Sequence, residues 1–268
     1  MLILLSPAKN LDFAAGPPDL ARTEPELAAH AARIAKAASR LSQSDLMRLM
    51  DISEKLAALN VERFRAFAAT PSPETGKQAI LAFNGEVYQG LAANAWSRED
   101  LAWSQDRVRI LSGLYGVLRP LDVIQPYRLE MGTKFAQGKA GDLYAYWRNA
   151  IAPVIARDLD RLGGPRILIN LASDEYARAV DFASLDARVI TPSFRDVKDG
   201  VARSVFMFIK RARGEMARWI VQTRIEDLEA ARAFSWGGYR LDEDQSTPDR
   251  WTFIRPQPKP NTRSGTEL

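Results

Sequence analysis

Short apolar runs alternate along the chain with longer segments whose apolar residues recur at helical spacing. The clearest apolar runs are residues 2–5, 108–111 and 167–171, and their length and composition predict buried strands. Helical spacing is clearest at 45–59 and 142–162. Strands and helices mixed in this order are typical of α/β and mixed α+β folds. We therefore predict a central mixed sheet flanked by helices, with an N-terminal helical hairpin region.

The predicted elements run continuously from residue 1 to residue 255. The chain has 268 residues, of which 46% are hydrophobic, and this suffices for one large domain or two small ones. We find no internal repeat and predict a single domain over 1–255. Residues 256–268 are polar and contain prolines, which predicts a disordered tail.

Residues 44–67 predict two helices joined by a short turn that begins at Asp51. Ser53 is a good N-cap for the second helix, and Lys55 follows in its first turn. In a helix-hairpin-helix motif, backbone amides of the turn and of the second helix face a DNA phosphate. The usual motif has glycines on both sides of a central apolar residue, whereas this chain has Asp51 and Ser53 there. An ordinary αα-hairpin is an equal alternative.

The stretch 107–134 does not resemble an ordinary connection. It leaves a predicted strand at Ser112, turns at two glycines, and carries Arg119, Tyr127 and Arg128 among prolines. Long ordered loops are usually functional, and the many large apolar side chains argue against disorder. Two interpretations remain open, a structural Ω-loop packed on itself and a rigid rim that presents arginines to a binding site.

The second interpretation makes a geometric prediction. Pro120 and Pro126 restrict the backbone, so the loop is expected to be ordered without a ligand and to grip an anion through its arginines. We then expect Arg119, Tyr127 and Arg128 to point into the same cleft as Lys9 and Asn170. On this interpretation the two arginines serve binding and contribute little to stability.

Polar side chains follow several predicted strands. Lys9 follows the first apolar run, Glu86 follows a predicted strand at 79–83, and Asn170 and Glu175 end the run at 167–171. Open α/β sheets bind ligands at such strand ends. The alternatives are a plain strand-to-loop turn and, for Ser173 or Asp174, the cap of the next helix.

A cluster of basic residues marks the segment after a further predicted strand at 205–209. Four basic residues lie within the nine positions from Lys210 to Arg218 and include Arg211 and Arg213. Cations at a helix N-terminus oppose the helix dipole, so a nearby anion is the favoured interpretation. A solvated helix face is the alternative.

Composition excludes several classes of site. The sequence has no cysteine and a single histidine, His30, which excludes disulfides, thiolate metal sites and cysteine nucleophiles. We predict no cofactor and no metal site. The net charge of +4 permits an anionic partner without requiring one. No apolar run is long enough for a membrane span, and the N-terminus lacks the features of a secretory signal, so we expect a cytoplasmic monomer without a membrane partner.

Five strings spread over nearly the whole chain resemble one known family. They are SPAKNLDF at 6–13, AFNGEVYQGL at 82–91, LSGLYGVLRPLDVIQPYRLEMGTK at 111–134, NLASDEY at 170–176 and IKRARGEMARW at 209–219. The family is that of the peroxide stress protein YaaA. The resemblance implies a role in limiting oxidative damage from peroxide and iron, a mixed α/β fold of its own and a positively charged cleft. It also implies DNA as a partner and a helix-hairpin-helix motif, which would fall at residues 45–59.

Two functions are consistent with these observations. The first is a stress protein that binds double-stranded DNA through its phosphate backbone, without sequence-specific readout. Its candidate contacts come from separate segments and are Lys9, Ser53, Lys55, Arg63, Arg119, Tyr127, Arg128, Lys134, Asn170, Lys210, Arg211 and Arg213. The second is an enzyme acting on a nucleotide, nucleobase or nucleic acid in a polar cleft. Its candidate catalytic residues are Lys9, Glu86, Ser112 and Glu175.

Overall fold

The computed structural model describes residues 1–17, 19–72, 74–136, 138 and 140–258. The strands are β1 (Leu2–Leu5), β2 (Asn10–Leu11), β3 (Lys77–Gln78), β4 (Phe83–Asn84), β5 (Val108–Ser112), β6 (Gly116–Leu118), β7 (Val123–Ile124), β8 (Ile167–Asn170), β9 (Arg188–Ile190), β10 (Ser193–Lys198), β11 (Val201–Arg203), β12 (Arg240–Leu241) and β13 (Thr252–Pro256). The α-helices are α1 (Ala28–Ala38), α2 (Gln43–Met50), α3 (Glu54–Arg65), α4 (Ala79–Ala82), α5 (Glu86–Leu91), α6 (Arg98–Arg107), α7 (Leu143–Trp147), α8 (Ile151–Leu162), α9 (Asp174–Ala177), α10 (Phe206–Gln222) and α11 (Leu228–Arg232).

The main sheet has the strand order β6-β5-β1-β8-β9. Strand β1 is parallel to both β5 and β8, while β6 returns antiparallel to β5. All residues of β1, β5 and β8 are buried, as expected for strands covered on both faces. Helices α6 and α8 contact this sheet, and the prediction of a mixed α/β fold is confirmed. The parallel arrangement brings the carboxyl ends of β1 and β8 to one edge, where ligands bind in open sheets.

A second sheet, with the order β11-β10-β13-β12, is formed by the C-terminal part of the chain. Phe194, Phe234 and Phe253 are packed together beneath it, with ring centroids 5.6–6.1 Å apart. Strand β13 extends through Pro256, and the backbone amide of Gln257 donates to the carbonyl of Val197. The rest of the predicted tail, 259–268, lies outside the described residues.

Three predicted elements differ from the structure. Within the predicted strand 205–209, residues 206–209 begin helix α10, and residues 79–82 of the predicted strand 79–83 form helix α4. A short apolar run does not by itself distinguish a buried strand from a helix. The segment 142–162 contains two helices, α7 and α8. The break follows from Pro153, whose ring is incompatible with a helical carbonyl four residues earlier.

Helices α5 and α10 pack at a distance that only glycine permits. A Cβ atom on Gly214 would lie 1.8 Å from the carbonyl oxygen of Val87, and one on Gly90 would lie 2.2 Å from that of Arg211. Both positions lack side chains, so the two backbones touch directly. The two helices run antiparallel at this contact, so that Val87 lies opposite Gly214 and Gly90 lies opposite Arg211.

The stretch 107–134 is folded back on itself and largely buried. It contributes β5, β6 and β7, and a Cβ atom on Gly113 would lie 2.3 Å from the carbonyl oxygen of Leu129. The hydroxyls of Ser112 and Tyr127 are 2.6 Å apart, and Ser112 Oγ also accepts from the amides of Leu114 and Tyr115. The stretch is therefore ordered, and its packing is that of a compact interior segment.

The N-terminal helical hairpin is formed by α2 and α3. Ser42 caps α2 in a capping box, and Ser53 Oγ accepts from the amide of Leu56 at the start of α3. Between the helices Asp51 adopts φ +49° and Ile52 is buried. The carboxylate of Asp51 therefore occupies the place that a glycine has in the usual DNA-binding hairpin.

Candidate functional site

A cleft of about 260 Å³ opens where β1 and β8 end. Its walls come from five segments that are far apart in sequence and correspond to the five strings singled out above. The lining residues are Ser6, Pro7, Ala8, Lys9, Asn10, Asn84, Gly85, Glu86, Val87, Glu130, Ser173, Glu175, Tyr176, Lys210 and Arg213. The sheet brings the 6–10 and 173–176 segments together. The α5–α10 contact adds the 84–87 and 210–213 segments, and Glu130 comes from the fifth segment.

Hydroxyl groups form the floor of the cleft. Ser6 Oγ accepts from the backbone amide of Ser173 at 2.8 Å and lies 3.2 Å from the Ser173 hydroxyl oxygen. The carbonyl of Ser6 accepts from the hydroxyl of Tyr88 at 3.0 Å. Gly85 fits at the side of the floor, where a Cβ atom would lie 3.1 Å from that of Ala8. These contacts tie the ends of β1 and β8 to the start of α5.

One wall carries a chain of ion pairs. Lys9 Nζ lies 2.9 Å from Glu130 Oε2, and Arg128 Nη2 donates to Glu130 Oε1 at 3.1 Å. The Lys9 side chain is 61% exposed. An exposed pair of this kind is weak, so Lys9 can leave Glu130 for an incoming anion at little cost.

The opposite wall is formed by helix α10, which contributes Lys210 and Arg213. Lys210 is exposed. The Nε atom of Arg213 is buried and has no hydrogen-bond partner among the residues that the structure describes. Burial lowers the pKa of Arg213, and the nearby Asp174 carboxylate acts in the opposite direction. A buried donor without a partner is costly, and the Nε of Arg128, next to the cleft, is in the same state. Both guanidinium groups therefore have hydrogen-bonding capacity that the described residues do not use.

Carboxylates share the cleft with these cations. Glu86 lies in the first turn of α5, and Glu175 Oε1 accepts from the amide of Gly132 at 3.1 Å. Together with Glu130 they balance the charges of Lys9, Lys210 and Arg213. The lining is thus of mixed charge, whereas the resemblance implies a positively charged cleft.

Several predicted site residues do not line this cleft. Arg119 turns inward, where its Nε donates to Asp122 Oδ1 at 3.1 Å and its Nη2 donates to the carbonyl of Glu24 at 2.9 Å. Tyr127 and Ser112 are buried against each other. The expectation that Arg119 and Tyr127 point into the cleft is wrong, because buried Asp122 and Ser112 provide nearer partners.

Asn170 and Arg128 lie next to the cleft without lining it. Asn170 is buried, and its Oδ1 accepts from the amide of Ala172 at 3.1 Å, which shapes the turn after β8. Arg128 reaches the cleft only through Glu130. Both side chains therefore support lining residues and do not face the cleft themselves.

The remaining predicted contacts are on the surface. Lys134 is exposed two residues beyond Gly132, and Arg211 is exposed on α10 with its Nε 3.4 Å from Glu215 Oε1. Ser53, Lys55 and Arg63 belong to the helical hairpin and are absent from the cleft lining. The structure thus brings Lys9, Glu86, Glu175, Lys210 and Arg213 together.

Glu130 and Tyr176 line the cleft but were not among the predicted site residues. Glu130 stands in the 111–134 string beside two basic residues, and an acid among bases was the available signal. Tyr176 follows Glu175 directly, and burial raises its pKa above the ordinary value. Among the described residues, no three Asp, Glu or His side chains are grouped as a metal site, and no helix there is both long and apolar enough to cross a membrane.

Comparisons with known proteins agree with the five strings. The family model for peroxide stress protein YaaA matches residues 1–245. A UPF0246 protein of Caulobacter vibrioides (strain NA1000 / CB15N) is 48% identical over 258 residues, which are 96% of this chain and 100% of the relative. One of Cellvibrio japonicus (strain Ueda107) is 45% identical over the same shares, and one of Burkholderia mallei (strain SAVP1) is 46% identical over 95% of this chain and 98% of the relative. On this evidence of near full-length similarity, the chain belongs to the peroxide stress protein YaaA family.

Proposed function

We propose that this protein serves the peroxide stress response by binding double-stranded DNA largely through the phosphate backbone. The observation that carries the proposal is the convergence of Lys9, Lys210 and Arg213 on one cleft, where the buried Nε of Arg213 lacks a partner. Backbone phosphates supply the anionic acceptors that such donors need. Because chromosomal DNA of bacteria is cytoplasmic, we propose the cytoplasm as the location.

Further cations surround the cleft and extend the proposed contact surface. Lys134 lies on the segment that carries Glu130, and Arg211 follows Lys210 on α10. With the three lining cations they make a set of five. If all five neutralise phosphates, affinity for a duplex falls roughly 500-fold between about 50 and 200 mM salt. Fluorescence anisotropy with a labelled duplex measures this directly, and a flat response contradicts the proposal.

Single substitutions identify the site within the set. We expect Arg213→Gln to weaken duplex binding roughly tenfold and to lower the salt slope by about one, since one phosphate contact is lost. Arg250→Gln is the matched control, because Arg250 is exposed and does not line the cleft. Equal effects of the two variants would show that net charge alone, rather than this cleft, governs binding.

We propose in addition that the α2–α3 hairpin contributes phosphate contacts through Ser53 and Lys55. The support is local, since Ser53 caps α3 and Lys55 is exposed in its first turn. Lys55→Glu is then expected to weaken DNA binding, whereas Lys36→Glu on α1, another exposed lysine, is expected to have a smaller effect. If the Lys55 variant binds DNA as tightly as the wild type does, the segment is an ordinary αα-hairpin that does not contact DNA.

A second candidate function is an enzyme acting on a nucleotide or nucleobase. The observation that favours it is the presence of Glu86 and Glu175 in the same cleft as the cations, because phosphate binding alone has no use for carboxylates. Glu86 or Glu175 would act as general acid or base, and Lys9 as the anion stabiliser. Chromatography of nucleotides and oligonucleotides after incubation with wild type and Glu86→Gln tests this, and identical traces for both argue against it.

A further inference from the structure

An aromatic side chain stands unusually exposed at the start of helix α10. Phe206 is 79% exposed, the adjacent Met207 is 51% exposed, and Val201, five residues earlier in the chain, is also 51% exposed. Leu59, on the distant hairpin, is 39% exposed and is the remaining large hydrophobic residue of this kind in the described part of the chain. An exposed apolar cluster on a folded protein commonly marks an interaction site.

The position of Phe206 relates it to the cleft. Residues 206, 210 and 213 are spaced i, i+4 and i+7 and therefore share one face of α10. Lys210 lies one turn, about 6 Å, from Phe206, and Arg213 lies about 10 Å from it along the axis. Since Lys210 and Arg213 line the cleft, the aromatic ring stands at the outer end of the same row.

The surroundings of Phe206 are basic. Arg203 and Lys210 are exposed on either side of it in sequence, and Arg211 is exposed next to Lys210. A patch that combines an exposed ring with cations is complementary to a single-stranded nucleic acid, whose bases stack on aromatic side chains while its phosphates contact lysine and arginine. The bases of intact duplex DNA are stacked on each other and offer no free face to a ring.

We propose that Phe206 stacks on an unpaired base of DNA whose backbone phosphate is held by Lys210 and Arg213. This inference rests on the proposed DNA binding and deepens it, because it names DNA with an unpaired nucleotide as the preferred partner. Phe206 is a recognition residue in this scheme. The mixed charge of the cleft fits the same partner, since Glu86 and Glu175 can accept hydrogen bonds from base amino groups.

The test compares two duplexes that differ in one nucleotide. In one, a 2-aminopurine is paired, and in the other it stands in a single-nucleotide bulge. Stacking of one base on an aromatic side chain corresponds to roughly 5- to 150-fold in affinity. Wild type is therefore expected to bind the bulged duplex more tightly by about this factor and to change the 2-aminopurine fluorescence in the manner of a stacked base.

Four variants separate stacking from other roles of the patch. Phe206→Ala and Phe206→Leu are expected to lose the preference for the bulge, whereas Phe206→Trp retains it because only Trp preserves a flat aromatic face. Leu59→Ala is the control for removal of an exposed apolar side chain and is expected to keep the preference. Because Phe206 is exposed, the variants are expected to melt within a few degrees of the wild type.

Each alternative has its own outcome. If wild type binds neither duplex, the proposed DNA binding is wrong. If it binds both equally and Phe206→Ala changes nothing, DNA binding stands and the stacking inference is overturned. A dimer in light scattering that Phe206→Ala converts to a monomer, or Phe206-dependent binding to anionic vesicles without any bulge preference, also overturns it, because the patch then belongs to a second copy or to a lipid surface.

Discussion

Arg119 in the stretch 107–134 and Arg213 on helix α10 are used by the structure in opposite ways. In the first region the Arg119 guanidinium contacts Asp122 and the carbonyl of Glu24. In the second region the Nε of Arg213 is buried without a partner among the described residues. The difference lies in the available acceptors. Arg119, with a buried carboxylate three residues away, is held by its own loop, whereas Arg213 lies on a helix face that lines the cleft and has an Nε donor that no described residue uses.

Glycines have different roles in the 107–134 stretch and at the contact between α5 and α10. In the 107–134 stretch they let the chain close on itself, as Gly113 does against Leu129. Between α5 and α10 they let two helices touch, so that cations of one helix face the first turn of the other. The first use produces a rigid interior segment, and the second produces a wall of the cleft.

The largest effect is expected at the helix contact. Gly214→Ala places a Cβ atom 1.8 Å from the Val87 carbonyl, and overpacking against backbone is expected to cost about 3 kcal/mol or more of the free energy of unfolding. Gly141→Ala is the control, since a Cβ atom there meets nothing within 4 Å. Urea unfolding of both variants measures the difference. Wild-type stability in Gly214→Ala would show that α5 and α10 are not locked together as described.

The next largest effects are expected from substituting each of the two arginines, Arg119 and Arg213, and measuring both stability and DNA affinity. Arg119→Ala leaves Asp122, which is 1% exposed, without its charged partner, and we expect a loss of about 2 kcal/mol in stability with DNA affinity unchanged. Arg213→Gln is expected to do the reverse, with weaker binding and nearly unchanged stability. Arg161→Ala is the control, because Arg161 also pairs with a buried aspartate but is itself 62% exposed, so its loss is expected to cost at most about 0.5 kcal/mol. If Arg119→Ala instead loses DNA binding, the 107–134 stretch forms the rim of a binding site after all.

The residues that line the cleft can be predicted from the sequence more readily than the separate roles of Arg119 and Arg213. Lys9 and Glu175 were identified because polar residues after buried strands converge in a parallel sheet, and this topology follows from local patterns. The fate of Arg119 depends on Asp122 and on the carbonyl of Glu24, which is far away in sequence. Such a long-range partner has no local signal.

At the start of α10 the charged residues are evident from the sequence, but their structural setting is not. The basic cluster was visible in sequence, but the segment before it was predicted as a strand, because Val205 to Ile209 is a short apolar run. The exposure of Phe206 is a tertiary property that apolar character alone does not reveal. The close α5–α10 contact was equally hidden, since Gly90 and Gly214 are more than a hundred residues apart.

A smaller effect is expected in the 107–134 stretch, where the buried Tyr127 makes the stability of the protein depend on alkaline pH. Burial raises the pKa of Tyr127 above its ordinary value, so the folded protein keeps the phenol protonated while the unfolded chain ionises above about pH 10. Stability therefore falls as pH rises through and beyond the unfolded value, by about 1.4 kcal/mol per pH unit for each such tyrosine. We expect Tyr127→Phe to lose about 1 kcal/mol less than wild type between roughly pH 8 and 11.

Ser112→Ala is the control for the alkaline experiment. It removes the 2.6 Å hydrogen bond to Tyr127 but keeps the ionisable phenol, so its stability is expected to be lower at every pH with the wild-type pH dependence. Urea unfolding at several pH values gives both quantities. A Tyr127→Phe curve parallel to that of the wild type would mean that this phenol ionises in the folded state and is not sealed from solvent.

The smallest effect is expected at Glu130, the residue that joins the two regions. It belongs to the 107–134 stretch, yet its carboxylate pairs with Lys9 in the cleft as well as with Arg128. Glu130→Gln keeps the shape of the side chain and frees both cations, and the lost pairs are partly exposed, so stability is expected to change by less than about 1 kcal/mol. DNA affinity is expected to rise about two- to fivefold and the salt slope to steepen by about one, because a cation formerly neutralised in the protein now displaces a counterion.

Glu99→Gln changes an exposed glutamate on α6 outside the cleft lining and controls for the change in net charge. If Glu130→Gln weakens binding while Glu99→Gln does not, Glu130 contacts the ligand directly, and the cleft recognises a hydrogen-bond donor there and not only phosphate.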